Sequence, residues 1–167
     1  MTGDEGEVFS WLKGGAQMRV DFSFLAGAWD EGCGAMLSFE RALTIRFEDA
    51  DPAGVVFYPR AIALAHAVVE DMIGQSAIGW NGWFASPAHA APLRRAEAEF
   101  LRPMRSGEIF LARAQVEKLG TTSVTFHVGF FESNGAPAAQ VTTTHVLISK
   151  ATGQPTPLTP EIRAAFG

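Results

Sequence analysis

Residues 38–48 alternate in polarity, with Leu43, Ile45 and Phe47 apolar and Thr44, Arg46 and Glu48 polar between them. That period of two predicts a strand with the odd positions turned toward a core. The pattern breaks at Asp51-Pro52-Ala53-Gly54-Val55-Val56-Phe57-Tyr58-Pro59, which has the composition of a loop. Residues 60–73 then change period. Ile62, Ala65, His66, Val69, Met72 and Ile73 fall on one helical face, and Ala61, Ala63 and Ala67 leave the opposite face small and apolar. A helix apolar almost all round is predicted to be buried. Pro59 suits its first turn, where a missing N–H costs no hydrogen bond. Gly74 is the predicted stop.

Residues 75–91 hold Gly79, Gly82 and Pro87 with Trp80, Trp83 and Phe84, a loop with room for one helical turn. Four strand-like runs follow. In residues 93–101, Ala96, Ala98 and Phe100 alternate with Arg95, Glu97 and Glu99. Residues 108–119 set Phe110, Ala112, Ala114 and Val116 against Arg113, Gln115 and Glu117. Residues 122–131 turn Val124, Phe126, Val128 and Phe130 inward, and residues 139–150 are β-branched and rich in threonine. Arg105-Ser106-Gly107 and Leu119-Gly120-Thr121 are tight connections. Ser133-Asn134-Gly135 predicts a hairpin of type I′, whose central residues need positive φ. Thr159-Pro160-Glu161 predicts the N-cap and first positions of a short terminal helix. One apolar helix stays in solution only if a sheet covers it. The expected class is therefore α+β, a five-stranded antiparallel sheet wrapped around one long central helix.

Residues 1–35 read differently. Glycines recur among scattered aromatics, too apolar for a disordered tail and too interrupted for a helix. Two readings stay open for this N-terminal extension, an accessory element or a stretch upstream of a true start at Met36. The expected domain is 36–167.

Composition narrows the function classes. The 167 residues carry a net charge of −5 with a pI near 5.3, which argues against a nucleic-acid-binding face. An anionic small molecule is still compatible with a local basic rim. A single cysteine, Cys33, forbids an intrachain disulfide and fits a reducing compartment. His66, His89, His127 and His145 lack the short spacings of a metal site, so no metal is expected. No run approaches the roughly 18 apolar residues of a membrane span. Asp4, Glu5 and Glu7 stand where a signal peptide would be basic, so the cytoplasm is the expected location.

The candidate chemistry lies where loop meets helix. A helix N-terminus offers unpaired N–H groups and about half an elementary positive charge. Asp51 sits a few residues ahead of it, so a carbonyl bound there would lie within reach of a carboxylate. Alternatively, Asp51 only begins an Asp-Pro turn.

With Phe47-Glu48-Asp49-Ala50 before it, the stretch Asp51 to Pro59 resembles the signature of the 4-hydroxybenzoyl-CoA thioesterase family of hotdog-fold enzymes. Pro52 and Pro59 are similar to the 4-hydroxybenzoyl branch in particular, and the resemblance spans residues 39–150. It implies the hotdog fold, an acyl-CoA substrate with 4-hydroxybenzoyl as the first expectation, no cofactor, and homodimers or homotetramers with sites at the subunit interface. It also implies that Asp51 is the catalytic carboxylate, that the Tyr58 N–H holds the oxyanion, and that Gly54 or Val55 lies near the thioester. Dihydroxynaphthoyl-CoA thioesterases look similar in having a histidine at His66, which keeps that substrate open as the alternative, beside a short-chain acyl-CoA. The aromatics of residues 75–91 either line an acyl pocket or pin their loop. Asp49 either perturbs Asp51 or is a hydrogen-bonded loop residue. Glu70 lies too far along the helix to match the hotdog branch that uses a helical glutamate. Arg102, Arg105, Lys118 and Lys150, at strand ends, are candidate cations for coenzyme A phosphates. Against hydrolysis stand a dehydratase, which would want a histidine beside the carboxylate, and a non-catalytic acyl-CoA-binding module.

Overall fold

The computed structural model describes residues 36–167. The readings made for residues 1–35, Cys33 included, lie outside the described residues. Strand β1 (Ser38–Thr44) leads into a 3-10 turn at Phe47–Asp49, and the Asp51 loop then enters the long helix α1 (Tyr58–Gln75). A short helix α2 (Gly79–Trp83) and strand β2 (His89–Ala90) precede β3 (Leu93–Phe100), β4 (Ile109–Leu119), β5 (Ser123–Phe131) and β6 (Pro137–Val146). Strand β7 (Ile148–Ser149) and helix α3 (Pro160–Phe166) close the chain. The main sheet has five antiparallel strands in the order β1-β4-β5-β6-β3, and β2 pairs with β7 beside it.

Alternation builds the inner face of the sheet. Phe110, Ala112, Ala114 and Val116 on β4 are buried, as are Val124, Phe126, Val128 and Phe130 on β5. They cover α1, which buries Ala61, Ala65, Val68, Val69, Met72 and Ile73. This stripe is rotated toward Ala61 and Val68 from the predicted one, leaving Ile62 and His66 half-buried at its border. The helix is also buried on one side only, since Ala63 is exposed and Ala67 half-buried.

Phe47 corrects the strand reading. It is 90% exposed, while Asp49 is 1% exposed. The β1–β4 ladder ends at Thr44, and the 3-10 turn replaces a period of two with a period of three. The aromatic swings outward and the carboxylate inward. Gly74 lies inside α1 rather than ending it. Ser76 caps the helix, its N–H and hydroxyl both donating to the Ile73 carbonyl, at 3.0 and 2.7 Å.

The β5–β6 hairpin also differs in detail from prediction. Asn134 keeps a negative φ and only Gly135 is left-handed, at +85°. Gly135 N–H donates to Glu132 O, and the register shifts at Phe130/Phe131. A left-handed glycine after a type I turn is the three-residue solution, with a bulge taking up the extra residue. The terminal helix forms as read, with Thr159 Oγ1 accepting the Ile162 N–H.

Strand β3 lies at the sheet edge, paired to β6 alone, and of its residues only Ala96 is even half-buried. Its outer ladder side has no strand partner among the described residues, and Leu93 and Phe100 are exposed on it.

Candidate active site

The loop between β1 and α1 is held by its own backbone. Asp51 N–H donates to Val55 O and Gly54 N–H returns to Asp51 O, both at 2.9 Å. Asp51 Oδ1 accepts the Ala53 N–H at 2.8 Å, an Asx turn that fixes the carboxylate on the loop. The tight reversal sets Gly54 at φ +77°, a conformation that glycine adopts without a Cβ penalty. Val56 N–H donates to Met104 O at 2.8 Å, and Val55 bridges to Arg105. These bonds fasten the loop to the segment that follows β3.

Between loop and segment lies a cavity of about 500 Å³. Asp51 and residues 55–58 line one side, and residues 100–104 the other. Apart from Asp51 and Arg102, the named side chains are apolar or aromatic. The α1 N-terminus opens here. The Phe57 N–H is taken by Asp49 O at 2.9 Å, Pro59 has no N–H, and the Arg60 N–H folds back on Phe57 O at 2.7 Å. The Tyr58 N–H thus has no hydrogen-bond partner among the described residues and is the free donor of the first turn. The Tyr58 ring is exposed and stands edge-on to Phe57, with centroids 5.0 Å apart.

Asp51, Val55 and Tyr58 therefore line one cavity, with Gly54 at the turn that shapes it. His66 does not line it. Its Nε2 pairs with Glu70 Oε1 at 3.1 Å, and its ring lies 6.1 Å from those of Phe84 and His145. His145 is buried, its Nδ1–H donates to Ala91 O at 3.0 Å, and burial holds its imidazole below the usual range. Trp83 packs in the core against Phe126 and Phe166, so it pins its loop. Of the proposed phosphate-binding cations only Arg102 borders the cavity, paired with Glu132 at 2.9 Å. Lys150 Nζ donates to Ser86 O at 2.6 Å. No group of side chains among the described residues is arranged to hold a metal ion.

Of the second wall of the cavity, sequence reasoning singled out Arg102 alone, as a candidate phosphate-binding cation. Leu101-Arg102-Pro103-Met104 carries no catalytic signature, and only its position after an exposed edge strand marks it. Asp49 was legible as a loop residue, but its burial was not.

The family model described as thioesterase-like superfamily matches residues 45–166. The chain belongs to this superfamily. The thioesterase is similar over 114 residues, at 32% identity, to a 1,4-dihydroxy-2-naphthoyl-CoA hydrolase of Nostoc punctiforme, covering 67% of this chain and 75% of that one. It is also 32% identical over 117 residues to the hydrolase of that name from Rippkaea orientalis, covering 69% and 85%. Among solved structures, a 1,4-dihydroxy-2-naphthoyl-CoA thioesterase from Synechocystis aligns with a TM-score of 0.70 at 19% identity, over 77% of this chain and 94% of that one. A gentisyl-coenzyme A thioesterase aligns at 0.65 and 20% identity, over 77% and 98%. At such identities these two show the fold alone. The thioesterase has the hotdog fold, as the sequence resemblance implied, and it is a thioester hydrolase.

Proposed function

We propose that this chain hydrolyses an aromatic acyl-CoA of the 1,4-dihydroxy-2-naphthoyl type to the free acid and coenzyme A, with Asp51 as the catalytic carboxylate. The observation carrying this reading is that Asp51 and Tyr58, the latter with a backbone N–H unpaired among the described residues, line one apolar cavity. Thioester hydrolysis needs an activated oxygen nucleophile and a donor for the developing oxyanion. The Tyr58 N–H, at the positive end of α1, suits the carbonyl oxygen. One such donor typically contributes about 3–4 kcal/mol to the transition state. Asp51 then accepts a proton from water as the water oxygen bonds to the carbonyl carbon. Collapse of the tetrahedral intermediate breaks the C–S bond, and the thiolate leaves and is protonated. In the other form of the mechanism Asp51 attacks first, and water cleaves the resulting anhydride.

The substrate class rests on the two hydrolases that share 32% identity with this chain. The cavity volume falls in the usual range of small-molecule sites, about 300–1,000 Å³, and a flat aromatic acyl group suits its walls. A second reading, 4-hydroxybenzoyl-CoA, is favoured by Pro52 and Pro59 in the resembling motif. Gly54 and Val55 flank the thioester in either case, Arg102 suits a coenzyme A phosphate, and His66 belongs with substrate recognition by resemblance only. We assign a homodimer or homotetramer on the exposed edge of β3, and a cytoplasmic setting on the lone cysteine, Cys33.

The test is thiol release from dihydroxynaphthoyl-, 4-hydroxybenzoyl-, benzoyl-, acetyl- and medium-chain acyl-CoA by wild type and by Asp51→Asn. Turnover of the dihydroxynaphthoyl thioester above the others, lost in the variant, is expected. A panel with no turnover, or an active Asp51→Asn, would overturn the reading.

A further inference from the structure

Asp49 is a buried carboxylate that the hydrolytic reading leaves unused. Such a group is costly to bury unless it is paired and hydrogen-bonded on both oxygens. Here both are satisfied. Oδ1 accepts from Arg60 Nε at 2.9 Å and Nη2 at 2.5 Å, and Oδ2 accepts the Arg46 backbone N–H at 2.8 Å. Its backbone oxygen takes the Phe57 N–H at 2.9 Å, and its own N–H donates to Arg46 O at 3.1 Å. One residue thus joins the chain leaving β1, the last loop residue and the first turn of α1. Arg60 is also 3.8 Å from Glu48, an exposed contact that adds little.

We propose that Asp49 is a positioning residue for hydrolysis, an inference that rests on the assignment of Asp51 and Tyr58 above. The Asp51 loop leaves Asp49 and returns at Phe57, so both ends are tied through this residue. Its carboxylate locks them to Arg60, two positions after Tyr58. The ion pair therefore sets the offset between the Asp51 carboxylate and the Tyr58 N–H without touching the substrate. The bond from the Phe57 N–H to Asp49 O also removes the donor that would compete with Tyr58. A guanidinium with two N–H groups converging on Oδ1 suits this task better than an ammonium, because its planar fork fixes direction as well as charge.

Small misplacements of catalytic groups cost up to roughly a hundredfold in rate. Asp49→Asn and Arg60→Gln should each lower kcat between roughly ten- and a hundredfold, with KM changed less than about twofold. Arg60→Lys, which keeps the charge and loses the fork, should recover part of the rate. The double variant Asp49→Asn with Arg60→Gln removes both charges. It should regain melting temperature relative to the single variants without regaining kcat. Return of kcat together with melting temperature would overturn the proposal, because the pair would then be structural only. So would singles that match wild-type kcat while melting lower. Hydrogen exchange gives a readout without turnover: the Ala53 and Gly54 amides should exchange faster in the double variant while those of β4 and β5 stay as in wild type, and unchanged exchange would overturn the pinning. An inactive wild type or an active Asp51→Asn in the same assays instead overturns the hydrolytic reading itself, and is seen as such.

Discussion

Asp51 and Tyr58 line one cavity from opposite ends of the loop that enters α1; the first carries a carboxylate and the second a backbone N–H unpaired among the described residues. Asp51→Asn keeps an oxygen to accept the Ala53 N–H at the present 2.8 Å, so the Asx turn survives. The charge does not. Thermal melting should stay within the ±0.5 kcal/mol typical of a substitution that removes no packing, while kcat falls about 10²–10⁴-fold. Rate and melting curves on the same preparation separate the two.

Gly54 separates backbone strain from crowding. At φ +77° it occupies a conformation that side chains resist, yet a Cβ there would meet nothing within 4 Å. Gly54→Ala should therefore cost only the left-handed penalty, about 1–2 kcal/mol. The loop can also escape that strain by shifting Asp51, so kcat should fall more than stability does. Equal falls, or no loss of rate, would show that the loop tolerates the residue in place.

Much of this was legible in the sequence because alternation and helical period are local. Phe110 to Val116 and Val124 to Phe130 read directly as an inner sheet face, and the stretch from Asp51 to Pro59 read as a loop feeding a core helix, though that helix is buried on one side only. Phe47 misled because a 3-10 turn changes the period one residue before it, and a two-residue rule carries no signal of that. The hairpin at Ser133-Asn134-Gly135 was placed correctly, yet a single left-handed glycine with a bulge replaced the turn with two. Asp49 and residues 101–104 were the least legible parts of the site. Both take their place from partners distant in the chain, Arg60 in one case and the Asp51 loop in the other.

Acid should destabilise the fold before its carboxylates titrate. Burial holds the His145 imidazole below its usual value of 6.5, with the proximity of His66 adding to this and the Ala91 carbonyl opposing it. Burial also lowers His127, opposed by the charge of Glu117. The unfolded chain protonates both groups first, so it binds more protons than the native state as pH falls through 6.5. Stability is fully present above that pH and declines toward the lower folded-state values. Melting temperature should drop between about pH 7.5 and pH 5.5, a window above ordinary carboxylate titration. A flat profile there would contradict the burial of the two imidazoles.

The core under α1 sets the scale of stability. Phe126 is fully buried and meets Trp83, His145 and Phe166 edge-on, at centroid distances of 5.9, 5.6 and 5.8 Å. Phe126→Ala removes an aromatic that bridges sheet, α2 and α3, and should cost about 3–5 kcal/mol. Urea unfolding monitored by tryptophan fluorescence measures this, since Trp83 would report the same transition. A cost below about 1 kcal/mol would mean that the cavity collapses without penalty.

The edge of β3 should be where copies of this chain meet. Leu93 and Phe100 are about half exposed, at 50% and 45%, on a strand whose outer ladder has no partner among the described residues. Natural edges carry charges, bulges or cover against such pairing; this strand has one register shift, at Leu93/Arg95, and its charges, Arg94, Arg95, Glu97 and Glu99, are of both signs and can pair across an antiparallel ladder. Light scattering should give a mass two or four times the 17.9 kDa of one chain. Leu93→Lys with Phe100→Lys should shift it to the monomer, because two charges would then face each other across the new ladder. Activity should fall with it, since Phe100 and the segment after it line the Asp51 cavity. A wild type that weighs 17.9 kDa would instead mean that the β3 edge is tolerated unpaired and that one chain supplies the whole site.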